Sequence, residues 1–166
     1  DDLNQFKLRN DLFSPDHVDE AERAMAIAEF RTGMQVTPSN ISTSGDFSDA
    51  SRQYLETRLK KFGLDNVEII EGSFAETVPN FLRNYKGTVF SANIDCDLYV
   101  GYKDTLQPMY DLLVKDGFIN LDEYYSLKFP GARIAVHEFL SDNKGANLTL
   151  LAKDTFEFER WGINKK

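Results

Sequence analysis

The sequence contains a single cysteine, Cys96, among 166 residues. No internal disulfide can form and a thiolate metal cage is excluded, so any metal must rely mainly on oxygen ligands. Basic charge is also scarce: Lys and Arg number 19 against 27 Asp and Glu, for a formal net charge of -8. The basic residues are scattered rather than gathered on one stripe, and such a surface repels phosphate backbones and anionic lipid. Nucleic acid and membrane are therefore not expected as partners. No apolar run approaches the length of a bilayer span, and Asp1-Asp2-Leu3 lacks the basic region and apolar core of a signal peptide. The expected location is cytoplasmic.

What is present suffices for a packed core. Hydrophobic residues make up 42% of the chain and aromatic residues 13%, within the size of one domain. The composition shifts near residue 65, which divides the single domain 1–166 into a helical and lid region, 1–64, and a strand and helix region, 65–166. The chain begins without Met on a polar stretch, and it reads as part of a longer protein.

Helical spacing links Val18, Ala21, Met25 and Ala28, and again Tyr54, Leu55, Leu59 and Phe62 ahead of Gly63, a good helix stop. The turn-forming run 37–45 between them predicts a loop. From Asn66 onward strands and helices alternate. Residues 67–71 predict a strand, a helix surrounds Phe81, and the apolar run 88–94 predicts another strand. A helix then carries Leu106, Met109, Tyr110 and Leu113 on one face with Pro108 in its path. Asp116-Gly117 predicts a turn, Phe118, Ile119 and Leu121 a short buried strand, and Ala132, Ala135, Val136, Phe139 and Leu140 a helix that opens at Pro130. Residues 148–152 and 156–161 predict a closing antiparallel hairpin with its turn at Lys153-Asp154. The fold class is α/β, a three-layer sandwich around a mostly parallel sheet.

Two acids close two of these strands: Asp95 follows Ile94, and Asp122 follows Leu121 with Glu123 beside it. Ligands in open α/β sheets bind beyond the carboxyl ends of the strands, and neighbouring strands lie about 4.8 Å apart. If these strands are neighbours, the carboxylates converge, and a bound cation is the simplest relief of their repulsion. Carboxylate oxygens without a close Cys or His suit a hard ion, Mg²⁺ better than a closed Ca²⁺ cage. On spacing alone, the same acids serve equally well as helix caps or turn starters.

The segments Ile94-Asp95-Cys96-Asp97-Leu98-Tyr99 and Leu121-Asp122-Glu123-Tyr124 together resemble the macrocin O-methyltransferase family of natural-product sugar methyltransferases. Gly45-Asp46-Phe47-Ser48, Phe62-Gly63-Leu64, the stretch from Glu71-Gly72-Ser73-Phe74 to Val78-Pro79, and Pro130-Gly131-Ala132 are similar too, in the same order. The resemblance implies a seven-strand Rossmann-type methyltransferase fold, S-adenosylmethionine as methyl donor, and Mg²⁺ that orients a hydroxyl of a small-molecule acceptor. By its motifs Asp95, Asp122 and Glu123 would be metal ligands, with Asp95 also catalytic, although many relatives have a second Asp where this chain has Glu123. Gly72, Ser73 and Phe74 would meet the adenine ring of the cofactor, and Tyr99 and Tyr124 would line the acceptor pocket. Asp97 would brace the site or line that pocket. By the same pattern the chain lacks the first two strands and the glycine-rich cofactor loop, so it is expected to bind cofactor poorly alone and to self-associate through the exposed sheet.

The remaining candidates carry bland readings. His17 and the acids Asp16, Asp19, Glu20 and Glu22 read as solvated surface, and His137 as an exposed residue off the apolar face of its helix. Cys96 reads as a small buried residue whose pKa the flanking acids raise. Tyr125 and Tyr124 form either an acceptor wall or core. Two alternative functions stand beside the methyltransferase: a non-catalytic, degenerate module, and a Mg²⁺-dependent phosphotransfer or hydrolase domain.

Overall fold

The computed structural model describes residues 51–126, 128–153 and 159–166, preceded by Glu22, Met25, Ala26, Glu29, Phe30 and residues 33–37. Met25 is helical, as its spacing predicts, while Val18, Ala21 and Ala28 lie outside the described residues. So do His17, the acids Asp16, Asp19 and Glu20, the segment Gly45 to Ser48, nearly all of the 37–45 run, and Asp154.

Helix α1, Arg52–Lys61, begins where the Ser51 hydroxyl accepts the Tyr54 N–H at 3.2 Å. It stops as predicted at Gly63, with the Leu64 N–H closing back on the Leu59 carbonyl. Residues 67–71 do not form the expected strand. A strand is held by a partner's backbone, and this extended stretch pairs with none among the described residues, leaving Val67 and Ile70 about half exposed. Helix α2, Phe74–Asn84, follows, then strand β1, Val89–Ile94, helix α3, Tyr99–Leu112, and strand β2, Leu113–Leu121.

Strand β2 is longer than its apolar residues suggest. Its partners on β1 jump from Val89↔Leu113 to Ser91↔Phe118, so the expected turn at Asp116-Gly117 survives as an irregularity inside the strand, with Asp116 at φ 65°. Helix α4, Pro130–Asp142, and the hairpin of β3, Ala146–Lys153, with β4, Glu159–Lys165, complete the chain. The sheet order is β1-β2-β4-β3, with β1 and β2 parallel and the hairpin antiparallel at one edge. Helices α3 and α4 pack on each other and on the sheet around a core that includes Tyr102, Leu106, Ile119, Leu121, Val136 and Ile163. Full burial of an aliphatic side chain such as Ile119 contributes about 1.5–3 kcal/mol. Among the described residues no helix is long and apolar enough to cross a membrane.

Candidate functional site

The parallel pair positions the acids. Ile94 faces Leu121 across β1 and β2, and the Asp122 N–H donates to the Ile94 carbonyl at 3.0 Å, extending the ladder one step. Asp95 and Asp122 therefore leave neighbouring strands side by side at their carboxyl ends, as the sequence predicts. Asp122 turns toward β4 and meets Arg160 Nη1 at 3.2 Å, in a pair exposed enough to contribute little stability.

The acids that gather are Asp95, Asp97 and Glu123, each offering a carboxylate oxygen within 4.8 Å of the others. Of the expected set Asp95, Asp122 and Glu123, this grouping holds Asp95 and Glu123 and adds Asp97, while Asp122 lies close enough for its charge to act on Glu123. Asp97 is held by a three-residue turn: the Leu98 N–H donates to the Cys96 carbonyl at 2.6 Å while Asp97 sits at φ 59°. Few non-glycine residues adopt that conformation, Asp among the more tolerant, and it is a strained geometry of the kind found at functional sites. The turn joins β1 directly to α3, whose first turn rides on Cys96. A Cβ added at Gly101 would lie 2.9 Å from the Cys96 sulfur, so only glycine permits this approach.

Burial grades the three acids. Asp95 is exposed, Asp97 intermediate, and Glu123 only 3% exposed. Burial pushes the Glu123 carboxyl up to about 7 against the hydrogen bond from Tyr102, and the charges of Asp122 and Asp95 push the same way as burial. Tyr102, which the sequence reading did not single out, is fully buried on α3. Its hydroxyl donates to Glu123 Oε2 at 2.7 Å and accepts the Glu123 N–H at 3.1 Å. Burial and the Glu123 carboxylate hold this phenol far above its ordinary range, so it remains a donor. Burial, with the nearby acids adding, pushes the Cys96 thiol up to about 12, the reverse of what a nucleophile needs.

The two tyrosines expected to line an acceptor pocket have internal partners. Tyr99 donates to Glu138 Oε2 at 2.8 Å, the oxygen that Lys103 also reaches at 3.0 Å. Tyr124 is 8% exposed, its hydroxyl lies 2.9 Å from His137 Nε2, and its ring packs against Trp161 and the Arg133 guanidinium. Tyr124 thus belongs to the packed core. His137 is accordingly half-buried rather than exposed: a buried tyrosine hydroxyl needs a partner, and the α4 position beside the ring supplies it. Arg133, also missed in the sequence, is 5% exposed and donates to the Tyr124 and Tyr125 carbonyls at 3.0 and 3.3 Å. It fastens the loop that carries Glu123 from below.

Gly72, Ser73 and Phe74 stand at the start of α2. Gly72 is at φ 138°, the Ser73 side chain makes no capping bond, and Phe74 is 43% exposed. An open groove of about 760 Å³ runs between α1 and residues 63–69, and another of about 480 Å³ between residues 68–70 and α2. None of the three gathered acids lines either groove.

The family model of macrocin-O-methyltransferase (TylF) matches residues 22–155. No curated protein matches the sequence. Among solved structures, the apo TDP-rhamnose 3'-O-methyltransferase of calicheamicin biosynthesis is 26% identical, with a TM-score of 0.56 over 68% of this chain and 51% of that one. The O-methyltransferase NovP is 19% identical, with a TM-score of 0.54 over 75% and 53%. An O-methyltransferase from Bacillus cereus in complex with SAH is 13% identical, with a TM-score of 0.52 over 96% of both chains. The chain spans about half the length of the first two. The latter two likenesses show a shared Rossmann-like methyltransferase fold, and the family match covers most of the sequence. This chain belongs to the macrocin O-methyltransferase family.

Proposed function

We propose that the chain carries the acceptor side of an S-adenosylmethionine-dependent O-methyltransferase acting on a hydroxyl of a sugar or natural-product acceptor, with a divalent cation held by Asp95, Asp97 and Glu123. The observation that carries this reading is the closure of three carboxylates at the carboxyl ends of the parallel pair β1 and β2. The donor set fits a hard cation. All three ligands are oxygens, and burial, with the charges of Asp122 and Asp95 adding, raises the Glu123 carboxyl to about 7. Few protein ligands with room for water suit Mg²⁺. Asp122 adds its charge from the adjacent strand end, and exchanging its weak pair with Arg160 for a cation is inexpensive.

When bound, such an ion supplies Lewis-acid polarisation of an acceptor hydroxyl. The chain's own residues do the rest. Asp95, the most exposed of the three acids, is the catalytic residue of this reading and would face the acceptor hydroxyl. Glu123, buried and fixed by Tyr102, holds the site's geometry. Ser73 and the exposed ring of Phe74 are the groups offered to the adenine of the cofactor, a role supported by the family match; the Bacillus cereus structural neighbour was itself solved with SAH. Family membership displaces the phosphotransfer or hydrolase alternative.

The test is transfer of labelled methyl from S-adenosylmethionine to a panel of nucleotide sugars, with and without chelator, by the chain joined to the cofactor-binding strands that the family resemblance places before it. Label transfer that depends on Mg²⁺ is expected. Transfer indifferent to chelator would remove the metal from the mechanism. A chain that binds neither Mg²⁺ nor S-adenosylmethionine would instead be the non-catalytic member that the alternative describes.

A further inference from the structure

Tyr102 lies in the first turns of α3, beneath the acid cluster and with no exposed surface. Its hydroxyl meets Glu123 at both ends of that residue, donating to the carboxylate Oε2 at 2.7 Å and accepting the backbone N–H at 3.1 Å. A hydroxyl has one hydrogen to give, so the Ile94 carbonyl at 3.4 Å is the weaker claimant. A glutamate side chain turns about three torsions, and fastening its carboxylate and its backbone to the same phenol removes most of that freedom. The post itself is firm. Gly101 seats the helix against Cys96, and the Thr105 hydroxyl bonds the Gly101 carbonyl at 2.7 Å.

The Tyr102 hydrogen bond takes one lone pair of Oε2 and fixes the direction of the carboxylate, so ligation of an ion through both oxygens of Glu123 must compete with that bond. Ca²⁺ gathers six to eight oxygens and readily takes both oxygens of one carboxylate, whereas Mg²⁺ takes single oxygens in a strict octahedron (roughly these counts hold across known sites). The geometry points to Tyr102 as a positioning residue that biases Glu123 toward one-oxygen ligation and so sets the preference of the site for Mg²⁺ over Ca²⁺. This rests on the metal reading above and adds the element that selects the ion.

The experiment is calorimetric titration of MgCl₂ and, separately, CaCl₂ into the wild-type chain and Tyr102→Phe, with circular dichroism to confirm that the variant is folded. Removing the hydroxyl frees Oε2, so the ratio of Mg²⁺ to Ca²⁺ affinity is expected to fall about tenfold, the lower end of what loss of a ligand's supporting hydrogen bond does at metal sites. A purely structural role would weaken both ions together, and an unchanged ratio overturns the proposal while leaving the metal site standing. A wild-type chain that binds neither ion overturns both. If Tyr102→Phe does not fold, metal-minus-apo infrared spectra of the wild-type chain with carbon-13-labelled glutamate decide instead. A wide splitting of the carboxylate stretches with either ion marks one-oxygen ligation and supports the proposal, and the narrow splitting of two-oxygen ligation with Ca²⁺ overturns it.

Discussion

Helix α4 buries eight of its residues, whereas α1 and α2 bury none. The two ends of the described chain are therefore held by different physics. The described residues from Val89 onward form a sheet with α3 and α4 packed on it, and their stability comes from apolar surface removed from water. Among the described residues, α1 and the stop after it rest on local terms, namely the Ser51 cap, the Arg52–Glu56 pair at 2.7 Å and the Gly63 stop, with Tyr54, Leu55, Phe62 and Leu64 substantially exposed, while α2 half-buries Phe81 and Leu82 and packs on α3. A ten-residue helix sustained by such terms is marginal. The contrast matters because the acid cluster belongs wholly to the packed half. Asp95, Asp97 and Glu123 each follow or precede an element with buried residues, and Tyr102 and Arg133 brace them from two packed helices.

The sharpest way to break this contrast is in the core. Ile119→Ala, at a site with no exposure, is expected to cost about 2–5 kcal/mol in urea unfolding. A smaller cost would mean that the sheet face is looser than its packing implies.

Next in size is a pH effect confined to the packed half. The folded chain keeps a proton on Glu123 that the unfolded chain has already lost, so this group's contribution is fully present below the ordinary carboxylate range and is lost as pH rises through about 7. The metal-free protein should therefore melt lower above neutral pH than below it, and Glu123→Gln should flatten that slope. Equal slopes in wild type and variant would show that Glu123 ionises normally.

The smallest effect lies in the other half. Leu55→Ala on α1, at 44% exposure, should change stability by less than about 0.5 kcal/mol. A loss comparable to that at Ile119 would show that α1 is packed after all, and the two halves would then be one.

The elements legible in the sequence were those fixed by their own pattern. The 88–94 run, the Pro130 start and the Gly63 stop signal themselves locally, and the acids at the strand ends followed from where parallel strands finish. Residues 67–71 misled because a strand is a relation between two segments, and β propensity cannot show that a partner is within reach. The same holds for side-chain direction. Nothing near Asp122 in sequence announces Arg160, 38 positions later, and nothing near Glu123 announces Tyr102 on the preceding helix. The helix face that carries His137 does not reveal that a buried tyrosine hydroxyl lies opposite.

The central claim, that the strand-end acids form a cation site, is tested most directly by calorimetric titration of Mg²⁺ into the wild-type chain and Asp95→Asn. The account predicts saturable binding in the wild type and its loss in the variant. Equal binding by both, or binding by neither, would contradict it.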